Sequence, residues 1–319
     1  MRANSHPMIR ILANDGIAPN GKQLLEDAGY EVVTDKIAQD DLMTELNNFD
    51  VIIVRSATKV RKELIDAAPN LKAILRGGVG IDNIDHEYAK GKGIPTYNTP
   101  AASSQAVAEL VFAHFFALSR GVARSNRELV QPDGEFAKLK KAYAGGQELR
   151  GRTLGIIGFG RIGIEAARIA IGMGMKVLPV DPYKESETIE LAFFDGQSAS
   201  FEVKTVSMDE CLANADYLTV HVPGGDLIGK EELAKMKDGV IIANTSRGGV
   251  INEDELLAAL NSGKVRGAAL DVFVGEPNPR RDLLEHPSVS VTPHIGAATK
   301  EAQSKIGVEL YEKVVKHFS

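Results

Sequence analysis

The sequence predicts an α/β protein built from two doubly wound domains, each a parallel sheet with helices on both faces. Three observations carry that prediction. From residue 9 onward, short apolar runs alternate with helix-patterned segments across short connections, as strand–crossover–strand units do. The run Thr153–Ile157 is almost wholly apolar and leads directly into Gly158-Phe-Gly-Arg-Ile-Gly163, which suits a strand buried on both faces and the turn after it. Later strands end on a polar or charged residue (Asp181, His221, Asp271, His294, with Arg247 shortly after another). That is the sheet edge where open parallel sheets hold ligands.

In the first half, residues 9–13, 31–33, 51–54, 73–75 and 95–97 read as strands, and 23–28, 40–46 and 62–67 as the helices between them. Residues 1–7 have no periodicity and are left outside the fold. A longer helix over 103–119 opens on a serine cap. Its stretch 110–118 is apolar enough to belong between domains or between subunits. Residues 124–150 form a polar stretch that carries Gly145 and Gly146. Beyond the glycine turn, strands recur at 176–180, 217–222, 239–243, 268–272 and 289–292, with helices at 208–213 and 253–260. The second of these stops at Asn261-Ser-Gly263, a normal helix end. The last helix, 300–316, is expected to cross back to the first domain and make it discontinuous.

At 319 residues, 44% hydrophobic and 25% charged, the chain has room for two well-filled domains. It has no apolar run of bilayer-spanning length and no signal-peptide pattern, so no membrane role is expected. A formal net charge of −6 without a basic block argues against a nucleic-acid partner. The single cysteine, Cys211, excludes an intrachain disulfide and a cysteine-only metal cluster, and points to a reducing cytoplasm. No histidine, cysteine and acid spacing suggests a metal site.

Gly158, Gly160 and Gly163 let the chain turn tightly, let backbone amides approach a pyrophosphate, and let the following helix pack close to the sheet. The helix start supplies free N–H groups and partial positive charge to phosphates. Asp181, about 20 residues on, stands where a carboxylate would hold both hydroxyls of an adenosine ribose. Three further residues suit the oxidation of a 2-hydroxy acid: Arg247, Glu276 and His294. The guanidinium can grip a carboxylate with two hydrogen bonds, imidazole can take and return a proton, and a glutamate can orient that ring and favour its charged form. Each also has a plainer use, as a surface loop residue, a turn before Pro277, or a strand-end group satisfying backbone. Of the other histidines, His114 reads as a core or interface residue and His221 as a group behind the cofactor edge. His6, His86, His286 and His317 carry no signal.

The motifs GFGRIG (158–163), NTSRGGVI (244–251), ALDVFVGEP (269–277) and PHIGAATKEAQ (293–303), with IVRSATKV (53–60) and GGVGIDNID (77–85), together resemble the D-isomer-specific 2-hydroxyacid dehydrogenases. Within them they are most similar to D-3-phosphoglycerate dehydrogenases, over residues 9–318. The resemblance implies a Rossmann NAD-binding domain over 105–295 and a discontinuous flavodoxin-like substrate domain over 1–104 and 296–319, with a cleft between them. It implies a catalytic trio of Arg247, Glu276 and His294. Implied cofactor contacts are Gly158, Gly160, Arg161, Ile162, Gly163, Asp181, Val222, Thr245, Ser246, Asp271, Gly296 and Ala297, Asp271 being the acid that holds the nicotinamide carboxamide. Implied substrate contacts are Arg55, Ser56 and Arg76 at a phosphate end, and the amides of Val79 and Gly80 at the carboxylate.

The implied reaction is reversible hydride transfer between NAD and a D-2-hydroxy acid, foremost 3-phospho-D-glycerate at the entry to serine synthesis, in a homodimer. The alternatives are a hydroxypyruvate or glyoxylate reductase, a D-lactate dehydrogenase, and an NAD-sensing corepressor-like binding protein. Two stretches depart from the family pattern. The loop after Pro223 is short, and 191–204 is long and polar enough to form an extra hairpin.

Overall fold

A computed structural model describes residues 8–319; residues 1–7, including His6, lie outside the described residues. Its contacts divide the chain into two units, one running to Ser103 and resuming over Ala297–Ser319, the other Ser104–Gly296. Each holds a parallel sheet of the predicted doubly wound kind.

The first unit contains β1 (Arg10–Ala13), α1 (Pro19–Asp27), β2 (Glu31–Val33), α2 (Leu42–Glu45, extended by a 3₁₀ turn Leu46–Asn48), β3 (Val51–Val54), α3 (Lys62–Ala67), β4 (Ala73–Arg76), α4 (His86–Gly91) and β5 (Thr96–Asn98). The order β2-β1-β3-β4-β5 is parallel throughout, with its switch point between β1 and β3. β3 is Val-Ile-Ile-Val and wholly buried; β-branched side chains fit a pleated surface covered on both faces. Alternate residues feed two cores. Leu12, Ile52, Val54 and Ile74 pack with Leu42, Leu64 and Ile65, while Ile11, Ile53 and Leu75 pack with Leu25, Ile306 and Leu310. α1 begins earlier than its apolar pattern indicates because Pro19 sits in its first turn, where a fixed φ favours helix. α4 has too little apolar periodicity to be legible beforehand.

The second unit opens with α5 (Ser104–Arg120), α6 (Val122–Leu129) and α7 (Phe136–Ala142), followed by β6 (Thr153–Ile157), α8 (Arg161–Gly172), β7 (Lys176–Val180), β8 (Ser186–Ala192), β9 (Ser198–Lys204), α9 (Met208–Asn214), β10 (Tyr217–Val220), α10 (Lys230–Lys235), β11 (Val240–Asn244), α11 (Glu253–Ser262), β12 (Val265–Leu270), α12 (Arg281–Leu284) and β13 (Val289–Val291). The parallel order β13-β12-β11-β10-β6-β7 places the glycine turn at the C-terminal end of β6, beside the switch to β10. α5 is not reserved for an interface along its length. Val111, Phe112 and Phe115 pack with Leu154, Ile156 and Phe159 of their own unit, and Phe116 stands exposed. The polar stretch after it folds into α6 and α7; Val122, Phe136 and Val130, the residue just past α6, are also exposed.

The extra hairpin is the antiparallel pair β8–β9. It starts at Ser186, where alternation begins, and turns at Asp195-Gly196 with Gly196 at φ 84, an Asp-Gly hairpin signal. α11 ends on Gly263 in the left-handed conformation, φ 81. The chain closes with α13 (Lys300–Phe318), which belongs to the first unit and lies against α1. A Cβ on Gly21 would come within 2.5 Å of Gly307 Cα, so glycine at both positions is what lets the two helix backbones touch. Asn20 Nδ2 donates to Ser304 Oγ at 2.8 Å across the same contact.

Candidate active site

In the second unit, the turn after β6 is shaped by close backbone approach. Gly158 has φ 94, and a Cβ there would lie 2.3 Å from His221 O and 3.3 Å from Val222 Cγ1. A Cβ on Gly163 would lie 2.3 Å from Gly158 O, whereas at Gly160 it would meet nothing within 4 Å. Gly160 is the N-cap of α8, and no side chain caps the helix. Its first amides, beside exposed Arg161 and half-buried Ile162, therefore present uncompensated N–H groups and partial positive charge.

Asp181 faces this turn from the end of β7. Its Oδ2 accepts from Phe159 N and its Oδ1 from Tyr183 N, both at 2.9 Å. His221 is held neutral, burial pushing its imidazole down to about 3, and its Nε2 lies 3.0 Å from Thr219 Oγ1. Thr245 is buried, and its hydroxyl has no hydrogen-bond partner among the described residues. Ser246 Oγ donates to Asn244 Oδ1 at 2.8 Å. An open helix start, a carboxylate at the next strand end and an orphaned hydroxyl nearby in sequence to a structured Asn-Ser turn fit the pyrophosphate and ribose of NAD.

Three loops of this unit carry the trio. Arg247 follows β11, its Nη1 donating to Ser246 O at 2.7 Å and its carbonyl accepting from Asn244 Nδ2 at 2.8 Å. A Cβ on Gly248 would lie 2.1 Å from Phe273 O, so that glycine brings the Arg247 loop against the loop bearing Glu276. Glu276 Oε1 accepts from Phe273 N at 2.9 Å, and Oε2 lies 2.8 Å from His294 Nδ1. Because a carboxylate accepts, Nδ1 carries the hydrogen and Nε2 is left as the working nitrogen. His294 is half exposed and has φ 55, the only non-glycine among the described residues with positive φ. Asp271, 1% exposed, holds the next two residues: Oδ1 accepts from Ile295 N and Oδ2 from Gly296 N, both at 2.8 Å, with Thr292 Oγ1 donating to Oδ1 at 2.6 Å. Ala297 falls in the first unit, where its carbonyl accepts from Gln303 Nε2 at 2.8 Å.

In the first unit, Arg55 and Gly77 line a cavity of about 570 Å³ together with Asp15, Asn20, Lys300 and Gln303. Neither the Arg55 nor the Lys300 side chain has an ion-pair partner among the described residues. Arg76 lies elsewhere, its guanidinium over Gly78, where a Cβ would meet Nη1 at 1.6 Å. Ser56 and Val79 are exposed and Gly80 is half exposed on their loops. The loop bearing Arg55 and Ser56 is tied down by groups that sequence reasoning passed over. Asp15 Oδ2 accepts from Arg55 N at 2.7 Å and Thr58 N at 3.0 Å, and Oδ1 accepts from Thr58 Oγ1 at 2.7 Å. Asn83 Nδ2 donates to Arg55 O at 2.7 Å and Thr58 O at 2.6 Å. Burial pushes the Asp15 carboxyl up, but the Thr58 and Arg55 hydrogen bonds and Lys36 outweigh it and hold it below its ordinary value. Asp15 ends β1 as the flagged acids end later strands, so the strand-end signal was present there too.

The sequence profile of the D-isomer specific 2-hydroxyacid dehydrogenase NAD-binding domain matches residues 112–296, and this chain belongs to that family of NAD-dependent oxidoreductases. It is 42% identical to the hydroxypyruvate reductase of Thermotoga maritima, over 96% of this chain and 97% of that protein. It is 39% identical to the D-3-phosphoglycerate dehydrogenase of Methanocaldococcus jannaschii, over 97% of this chain but 57% of that enzyme, so it spans little more than half the length of that relative. Among solved structures, a glyoxylate reductase from Paecilomyes thermophila matches with a TM-score of 0.81 and 29% identity, covering 97% of this chain and 95% of that one.

Proposed function

We propose that this dehydrogenase interconverts 3-phospho-D-glycerate and 3-phosphohydroxypyruvate, the entry to serine synthesis. The observation that carries the substrate choice is the first unit's cavity, lined by two cations, Arg55 and Lys300, without ion-pair partners among the described residues. Its one carboxylate, Asp15, is already engaged by backbone and Thr58. Lys300 is exposed and Arg55 half-buried, so both remain available to an incoming anion in a protein of net charge −6, and a phosphate monoester would use both. Of the other expected substrate contacts, Ser56 and Arg76 lie outside the lining of this cavity, and the Val79 and Gly80 amides are assigned to the substrate's carboxylate.

Bound NAD supplies the hydride acceptor. In this reading Arg247 anchors the carboxylate beside C2 and polarises the reacting carbon. His294 Nε2 takes the hydroxyl proton during oxidation and returns it during reduction. Glu276 Oε2 holds the Nδ1–H and offsets the charge of the imidazolium. The uncapped start of α8, with Gly158, Gly160, Arg161, Ile162 and Gly163, receives the pyrophosphate, and Asp181 receives the ribose hydroxyls. Val222, Thr245, Ser246, Gly296 and Ala297 complete the cofactor set. Asp271 uses three of its roughly four acceptor positions on Thr292, Ile295 and Gly296, which keeps one for the carboxamide.

The 42% identity to a hydroxypyruvate reductase favours a second reading, reduction of an unphosphorylated 2-keto acid. Initial rates with 3-phosphoglycerate, 3-phosphohydroxypyruvate, hydroxypyruvate, glyoxylate and D-lactate separate the two. The highest kcat/KM should fall on the phosphorylated pair, and a preference for hydroxypyruvate over phosphohydroxypyruvate would select the second reading. We assign the working form to a homodimer, with the exposed Phe116, Val122, Val130 and Phe136 of α5–α7 as the apolar surface it covers.

A further inference from the structure

The acceptor and donor roles around Asp271 extend further than the Glu276–His294 pair. Thr292 Oγ1 lies 2.6 Å from Asp271 Oδ1 and 3.1 Å from His114 Nε2. A carboxylate can only accept, so the threonine hydrogen goes to Asp271, and the threonine oxygen must accept from the imidazole. Nε2 of His114 therefore carries a hydrogen. Its Nδ1, 2.7 Å from Ser290 Oγ, is then the acceptor of the serine hydroxyl. Every hydrogen in the chain Ser290–His114–Thr292–Asp271 has one direction, and it ends on the carboxylate that holds the amides of Ile295 and Gly296.

Those amides follow His294, whose backbone at φ 55 is one an L-residue adopts only when its surroundings impose it. Asp271 is 1% and His114 4% exposed, while Ser290 and Thr292 are half-buried, so water has little access to the carboxylate and the imidazole themselves. α5 thus reaches the loop of the proton-transfer residue through His114 and Thr292, although its Val111, Phe112 and Phe115 side chains are spent on the core.

We propose that His114 and Thr292 are positioning residues that fix the orientation of the Asp271 carboxylate and, through the Ile295 and Gly296 amides, the placement of the His294 imidazole. The proposal rests on His294 being the proton-transfer group, and not on which 2-hydroxy acid is the substrate. A buried polar chain with all its members satisfied specifies one geometry, and breaking one member leaves the rest short of a partner. Misplacing an acid–base group by about 1 Å can cost up to about 10²-fold in rate.

The test compares Thr292→Val, which keeps the shape and removes the hydroxyl, with Thr292→Ser, which keeps the hydroxyl. Both are assayed in the holoenzyme with the best substrate found among the panel above. Thr292→Val should lower kcat about tenfold with KM for NAD within twofold, and should raise the deuterium isotope effect from C2-labelled substrate because the chemical step becomes slower. Thr292→Ser should retain at least half of the wild-type kcat. His114→Gln, which keeps one donor and one acceptor, supplies the second approach and should fall between the two.

A Thr292→Val enzyme with wild-type kcat and isotope effect would overturn the proposal, as would a Thr292→Ser enzyme as impaired as Thr292→Val. Should Thr292→Val fail to fold, His114→Gln set against His114→Leu decides by the same readouts, equal kcat in the two counting against the relay. Failure of the underlying reading shows separately, as His294→Ala retaining wild-type turnover.

Discussion

His294 combines a half-exposed ring, a left-handed backbone at φ 55 and a carboxylate 2.8 Å from Nδ1. A surface histidine with only a structural duty would not need all three, because the backbone conformation alone costs about 1–3 kcal/mol. His294→Ala should therefore lose at least about 10²-fold in turnover in both directions, read by initial rates of oxidation and reduction. Glu276→Gln keeps the shape and an oxygen while removing the charge, so partial activity should survive. Arg247→Ala should depress turnover about 10²-fold or more with every 2-hydroxy acid, because it removes a contact at the reacting carbon.

Cys211 makes the opposite case. Buried and donating to Leu178 O at 3.3 Å, its thiol is pushed up to about 12 by burial, so almost no thiolate exists near neutrality. Iodoacetamide should leave the native protein unlabelled at pH 8 and modify it fully in denaturant, as intact mass would show.

Among elements, the two glycine-dependent turns and the strands they end were the most legible. Thr153–Ile157 and Lys176–Val180 fall on the residues predicted, because largely apolar runs bounded by glycine or an acid leave little choice. β12 was placed about three residues late, since Val265-Arg-Gly interrupts its apolar run and mimics a loop. α6 and α7 were unread because they are short and bury no residue within this chain, which leaves no core-facing stripe to mark them. The site was legible where a residue type is rare in its setting, as with Arg247 or His294. It was silent where ordinary residues act through each other. His114 looked like core because its partners lie some 176 and 178 positions away, and Asp15 looked like part of a turn.

Asp15 gives the loop of Arg55 its own pH signature. Its carboxyl is held below the ordinary range, so the stabilisation it provides is present above the unfolded value of about 3.9 and is lost as pH falls through the lower folded value. Asp15→Asn should cost about 1–3 kcal/mol at pH 7, and the gap in thermal midpoint from wild type should close as the acid edge is approached. Asp181 makes a prediction for β7. It would repel a 2′-phosphate, and Pro182 and Tyr183 bring no cation, so NAD should be preferred over NADP by at least about tenfold, or ~1.4 kcal/mol, in kcat/KM.

At the scale of the molecule, the apolar balance of α5–α7 makes the assembly prediction. With Val111, Phe112 and Phe115 consumed inside the second unit, what remains exposed is the run of Phe116, Val122, Leu129, Val130 and Phe136. Light scattering at micromolar concentration should give twice the chain mass, and Phe136→Glu with Val130→Glu should shift it towards the monomer. Among the described residues no single helix is long and apolar enough to cross a membrane, and no group of three or more histidine, cysteine or acidic side chains could hold a metal ion.

The contact of Gly21 with Gly307 has a consequence in time. One face of the first sheet, Ile11, Ile53 and Leu75, is covered in part by Ile306, Leu310 and Val314, which the ribosome adds some two hundred residues after that sheet. At about 5–20 residues per second, the interval between residue 103 and the end of α13 lasts about 10–40 s. Through that interval the segment up to Ser103 waits with an apolar face open, while the second unit has everything it needs to fold. The nascent chain should therefore gain protease resistance in reverse order, residues 104–296 first and the N-terminal segment last. Ribosome-bound chains stalled near residue 296 should accordingly be cut within the first hundred residues, and chains extended far enough for α13 to leave the ribosome should not.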